Sequence, residues 1–167
     1  GDLDYAVSTA GSSNVPEPDE VWINDGTGSY TQSDWSVPDT LADEISWTDL
    51  NGDGSPDLYL GARSVNPAYL TFGLGLEDWW QPPVAQNTYG DAHAVDWGDW
   101  DGDGDLDLAV AQANGRSVVV FANDGDGFSL AWSLAEPEDS SGVAWGDWDG
   151  DGDLDLAVSN WDAPDRV

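Results

Sequence analysis

The chain has 167 residues, with 34 Asp and Glu against 3 Arg and no Lys, a formal net charge of −31. A surface so acidic repels phosphate and lacks the cationic contacts that carry nucleic-acid and anionic-membrane affinity; those partners are excluded and a cation is expected. With 40% hydrophobic residues and 11 Trp the chain has the apolar surface for a folded core, and without Cys any metal site must use oxygen ligands. Of the 34 acids, 28 are Asp, which favours turns and ligand loops over helix interiors. No apolar run approaches the roughly 20 residues of a membrane helix, so membrane insertion is not expected. No signal peptide precedes the first motif, and the lack of any Met is expected of a mature portion or an excised fragment.

In chain order, GDLDYAV at residues 1–7 is the end of a motif that returns three times. Residues 49–60 read DLNGDGSPDLYL, and residues 99–110 and 147–158 both read DWDGDGDLDLAV. The equivalent glycines Gly1, Gly54, Gly104 and Gly152 lie 53, 50 and 48 residues apart. The closing APDRV at 163–167 matches EPDEV at 17–21, so the pattern is cut within a repeat at both ends. Within the third repeat four strands are predicted, at 93–99, 107–113, 117–124 and 128–135. In the second of these Leu108 and Val110 share one face, and the small Ala109 and Ala111 share the other, which suits tight stacking. NDGDG at 123–127, like NDGTG at 24–28, is a hairpin signal. Four strands in about 50 residues, repeated in tandem, predict an all-β fold: a partial β-propeller of four-stranded blades. It forms one unit over 1–167, with repeats at about 1–41, 42–90, 91–139 and 140–167. Segments such as 81–89, with Pro82 and Pro83, then connect blades.

The nine-residue unit DWDGDGDLD sets carboxylates at alternate positions while glycines let the backbone curl. Without a cation the five acids repel one another; around a hard divalent ion their oxygens become ligands. Calcium, which takes six to eight oxygens in irregular geometry, is preferred over the stricter magnesium. The loop is similar to the first half of an EF-hand loop, but the twelfth position is Val110 where that motif needs Glu, and a strand follows. The expected side-chain ligands are therefore Asp99, Asp101, Asp103 and Asp107 with the carbonyl of Asp105, and Asp147, Asp149, Asp151 and Asp155 with the carbonyl of Asp153. In the divergent copy they are Asp49, Asn51, Asp53 and Asp57 with the carbonyl of Ser55. Asp2 and Asp4 are the remnant of a fourth site. Thirteen of the 34 acids fall at these three sets of positions. A loop that surrounds its ion with protein oxygens leaves no open position for substrate, so a structural role is favoured.

These residues resemble the FG-GAP and VCBS repeat family, to which the propeller of integrin alpha subunits also belongs. The matching core is a strand, a DxDGDGxxD loop and a DLAV-like strand, as at 95–110 and 143–158. Phe72-Gly73 supplies an FG pair, and Gly61-Ala62 is followed by Arg63 rather than Pro, so the bacterial VCBS pattern fits better than the integrin one. The resemblance implies calcium in the loop between the first two strands of each blade, commonly seven blades, and an extracellular adhesion or recognition role. Three periods fall short of such a ring, which implies a longer parent or association through open blade edges.

Other residues carry weaker signals. Trp47, Trp97, Trp100, Trp145 and Trp148 recur at equivalent positions; stacking on sugars is one reading, and packing between blades is favoured. Trp79 and Trp80 lie outside that pattern and are better candidates for ligand contact. The lone His93 aligns with Asp43 and Ser141, which points to a solvent- or channel-facing strand position rather than a general base. Asp96 aligns with Ala144. Arg63, Arg116 and Arg166 are expected to pair with neighbouring acids or to anchor an anionic sugar. No nucleophile and base can be paired. The expectation is thus a non-catalytic, extracellular, calcium-binding scaffold for adhesion or for recognition of a carbohydrate or protein ligand. The alternatives are the propeller portion of a polysaccharide lyase and a structural spacer of a surface protein.

Overall fold

A computed structural model describes residues 4–7, 19–37, 42–50, 52, 54–62, 69–71, 79–80, 92–112, 115–116, 118–125, 127–135 and 138–167. Among them there is no helix. In the described residues thirteen strands form four antiparallel sheets. The first contains β1 (Tyr5–Val7), β2 (Asp19–Asn24) and β3 (Tyr30–Val37). The second contains β4 (Ala42–Thr48), β5 (Asp57–Ala62), β6 (Tyr69–Thr71) and β7 (Trp79–Trp80). The third contains β8 (Ala92–Gly98), β9 (Asp107–Gln112), β10 (Val119–Asn123) and β11 (Phe128–Ser133), and the fourth β12 (Ser140–Gly146) and β13 (Asp155–Asn160). Each sheet is a meander in chain order, the all-β, propeller-like arrangement expected of the repeats.

The repeat in sequence is a repeat in register. Trp47 pairs with Leu58, Trp97 with Leu108 and Trp145 with Leu156, and in each case the next pair joins the last residue of the first strand to the Asp that opens the second. A bulge interrupts each first strand at the same place, between Ala42 and Glu44, Ala92 and Ala94, and Ser140 and Gly142. His93 sits in that bulge, as do Asp43 and Ser141. A bulge re-aims the side chain it contains, and there the half-buried His93 ring meets Trp161 edge to face at 4.8 Å.

The second, third and fourth sheets are joined by their first strands, β8 lying against β4 on one side and β12 on the other. Trp97 Nε1 donates to Ser46 Oγ at 3.3 Å, across the joint between the second and third sheets. At the next joint Trp145 N donates to Asp96 Oδ2 at 2.7 Å. Asp96 is therefore a latch between sheets, a role that its lack of an acidic equivalent at Ala144 conceals in the sequence. The third sheet has the deepest core. Ala109 and Ala111 are 0% exposed on one face of β9, and Leu108 and Val110 gather Val119, Phe121, Phe128 and Ala92 on the other. Leu50, from the acidic loop of the second sheet, inserts into that cluster. The second position of the loop is thus a packing residue, as favoured for the tryptophans there: Leu50 is buried and Trp100 half-buried. Trp148 departs from this, being 78% exposed.

Candidate metal centre

Each acidic loop joins the first and second strands of a sheet, β4 to β5, β8 to β9 and β12 to β13. The glycines at its fourth and sixth positions explain how nine residues turn back so tightly. Gly102 and Gly104 have φ of 77° and 101°, and Gly150 and Gly152 have 79° and 100°, in the left-handed region that residues with a Cβ avoid. Successive main-chain N–H groups then bond back to the acids. Gly104 N donates to Asp99 Oδ2, Asp103 N to Asp101 Oδ1 and Asp105 N to Asp103 Oδ1, at 3.2, 3.2 and 2.9 Å. The later copy repeats these bonds, with Gly152 N on Asp147 Oδ2, Asp151 N on Asp149 Oδ1 and Asp153 N on Asp151 Oδ1. In the divergent loop Gly54 N donates to Asp49 Oδ2 at 2.9 Å.

This folding draws the carboxylates together. One oxygen from each of Asp99, Asp101 and Asp107 lies within 4.8 Å of the others, as does one from each of Asp147, Asp149 and Asp151. Asp103 is not in the first group, nor Asp155 in the second. Asp105 is half-buried, with its carboxylate beside Gly125 of the β10–β11 hairpin, while Asp153 and Ser55 are exposed. Asn51 and Asp53 lie outside the described residues, as do Asp2, Arg63 and the FG pair. The side chains of Trp79 and Trp80 are likewise not described.

The ninth-position Asp has a second task. Asp107 is 0% exposed; its Oδ2 accepts from Trp100 N and its Oδ1 from Asn123 N, both at 2.8 Å. It thereby clamps the loop to the end of the third strand. Burial pushes its carboxyl above the ordinary carboxylate range, with the charge of Asp101 adding to the effect and the two main-chain donors opposing it. Asp57, also 0% exposed, accepts from Leu50 N at 2.8 Å, and Asp4 Oδ1 accepts from Asn24 N at 2.7 Å. Asp4, expected as a remnant ligand, thus still performs the clamp. Asp155 accepts from Trp148 N at 2.9 Å.

Asn123 is the residue that motif reading missed. It was legible only as part of a hairpin signal, yet it is buried, and its Nδ2 donates to the carbonyl of Leu106 inside the loop. Its Oδ1 accepts from Gly125 N at 3.2 Å. The shared Asn of NDGTG and NDGDG was the available signal, since Asn24 makes the matching contacts with Asp4 and Gly26.

The donor set suits a hard divalent cation, being made only of oxygens. Asp99 Oδ1 is moreover buried without any hydrogen-bond partner. An orphaned carboxylate oxygen costs free energy unless something positive meets it, and an ion among Asp99, Asp101 and Asp107 would do so. Among the cations of the chain, Arg166 pairs with Glu138 and Arg116 is half-buried.

The profile of the FG-GAP-like repeat matches residues 49–110 and again residues 99–158, spanning all three acidic loops. No curated protein sequence matches the chain at a significant level. The repeated strand, loop and strand unit and the two profile matches place the chain in the FG-GAP-like repeat family.

Proposed function

We propose that the chain is a calcium-clipped propeller scaffold, non-catalytic and extracellular, that serves adhesion or ligand recognition. The carrying observation is the orphaned Asp99 Oδ1 within a group of three carboxylates whose backbone frame recurs in the later copy. Calcium ties the first two strands of each sheet, so that the connections between sheets are held as a recognition surface. FG-GAP repeats often bind calcium and occur in extracellular or surface proteins. Sites in the weak range of about 10⁻⁴ to 10⁻³ M would fill outside the cell and stay empty in the cytosol. No helix among the described residues is long and apolar enough to cross a membrane.

Calorimetry with calcium and with a chelator tests the metal. At a hundredfold excess over Kd each site adds about 2.7 kcal/mol of stability, so the melting temperature rises with calcium; equal melting temperatures would remove this reading. A glycan array probed in calcium separates saccharide recognition from a spacer role.

A further inference from the structure

Resting on the calcium reading, we infer that neighbouring acidic loops are coupled calcium sites, and that the second residue of each loop is the peg that couples it to the next sheet. The peg is held at its root by the ninth residue of its own loop. Leu50 N donates to Asp57 Oδ2 and Trp100 N to Asp107 Oδ2, both at 2.8 Å, so the residue expected as ninth-position ligand also fixes the main chain of the peg. The side chain of the peg leaves the loop. Leu50, 4% exposed, enters the core of the third sheet with Leu108, and Leu106 packs against the same cluster. Leu106 and Leu108 are the two chain neighbours of Asp107. At the following joint Trp100 lines one cavity with Leu154 and Leu156, the two chain neighbours of Asp155. One arrangement thus serves both joints, running from ninth residue to peg to the leucines that flank the ninth residue of the next loop.

The consequence is shared ordering. Empty, each loop holds carboxylates that repel one another; at 99–107 those of Asp99, Asp101 and Asp107 have oxygens within 4.8 Å. An ion in 49–57 would draw in Asp57 and with it Leu50, and the leucines beside Asp107 then pack against a fixed wall. Part of the ordering that 99–107 needs is complete before its own ion arrives, so that ion binds more tightly. Linkage makes the effect mutual. Direct repulsion between two bound cations has the opposite sign, and salt screens it over about 8 Å at physiological ionic strength.

Each loop carries its own reporter, since Gly54 N and Gly104 N bond to the first Asp of their loops. Calcium is titrated into the full chain in physiological salt, and the amide NMR signals of the two glycines are followed. Asp49→Ala removes the first ligand of 49–57 while leaving Leu50 and its bond to Asp57 untouched. It should raise the calcium concentration at which Gly104 shifts by about fivefold or more, and Asp99→Ala should raise that of Gly54 by a similar factor. Adding Leu50→Ala should abolish the first effect, and Leu50→Met, which keeps the apolar volume, should preserve it. A Gly104 midpoint unmoved or lowered by Asp49→Ala would overturn the inference, whatever the folding of Leu50→Ala. An effect that persists in full with Leu50→Ala would also overturn it, because the coupling would then bypass the peg. No calcium-dependent shift at either glycine of the unaltered chain would instead overturn the calcium reading, and this inference with it.

Discussion

Residues 99–107 and 147–155 are the same string of nine amino acids set in two different surroundings. Their backbones agree closely at the glycines and three internal N–H to carboxylate bonds recur, but Gly150 N donates to Asp147 Oδ1 at 2.7 Å whereas the equivalent Asp99 Oδ1 has no partner. Yet Asp107 is sealed beneath the third strand while Asp155 is half-exposed, and Trp100 packs while Trp148 is 78% exposed. The loop at 99–107 has β10 laid over its ninth residue, whereas the sheet described for 147–155 has two strands, so the pair reports what a covering strand adds to one loop chemistry.

The largest test of that contrast is the pair Asp107→Ala and Asp155→Ala, compared by urea unfolding in chelator so that only the clamp is measured. Loss of Asp107 strands two N–H groups and should cost about 3 kcal/mol; loss of Asp155 should cost about 1 kcal/mol. Equal losses would mean that the third strand adds nothing.

The glycines that precede the loops offer a second comparison. A Cβ on Gly98 would stand 2.8 Å from Leu154 Cδ1 and 2.9 Å from Trp145 Cδ1, whereas one on Gly146 would meet nothing within 4 Å. Gly98→Ala should cost about 2 kcal/mol because the fixed indole cannot give way. Gly146→Ala should change stability by less than about 0.5 kcal/mol, both variants being measured by urea unfolding.

The joints between sheets differ as well, since one uses the Asp96 carboxylate on a main-chain N–H and the other the Ser46 hydroxyl on an indole. Asp96→Ala should destabilise by about 1.5 kcal/mol and Ser46→Ala by about 0.5 kcal/mol, measured by guanidinium unfolding.

The smallest effect is the pH dependence of the ion-free chain. Burial raises the folded-state pKa of Asp107 above its unfolded value. Its contribution is therefore full below the unfolded pKa and is lost as pH rises through the folded one. In chelator, the stability of the unaltered chain should fall relative to Asp107→Asn as pH rises through that window. Parallel profiles would show that the burial of Asp107 carries no electrostatic cost.

Much of this was legible in advance. The spacing of the acids and glycines marks the loops, and alternation in β9 marks its two faces, with Ala109 and Ala111 small for stacking. The hairpin turns at Asn24 and Asn123 follow from the Gly that each requires. What was not legible lies between repeats: Asp96 reaching Trp145, Leu50 entering the core of the third sheet, and the bulge that turns His93 toward Trp161. Each joins residues far apart in the chain, so neither periodicity nor motif spacing carries it.

The division has a physical basis. Sequence alone determined the loop conformation and the order of strands, because both depend on local torsions, alternating side chains and hydrogen bonds spanning a few residues. Only the tertiary structure decided that Asp107 is a buried clamp and that Asn123 supports it. Burial is set by what another strand lays over a residue, here β10 over Asp107, and no local string of residues encodes that.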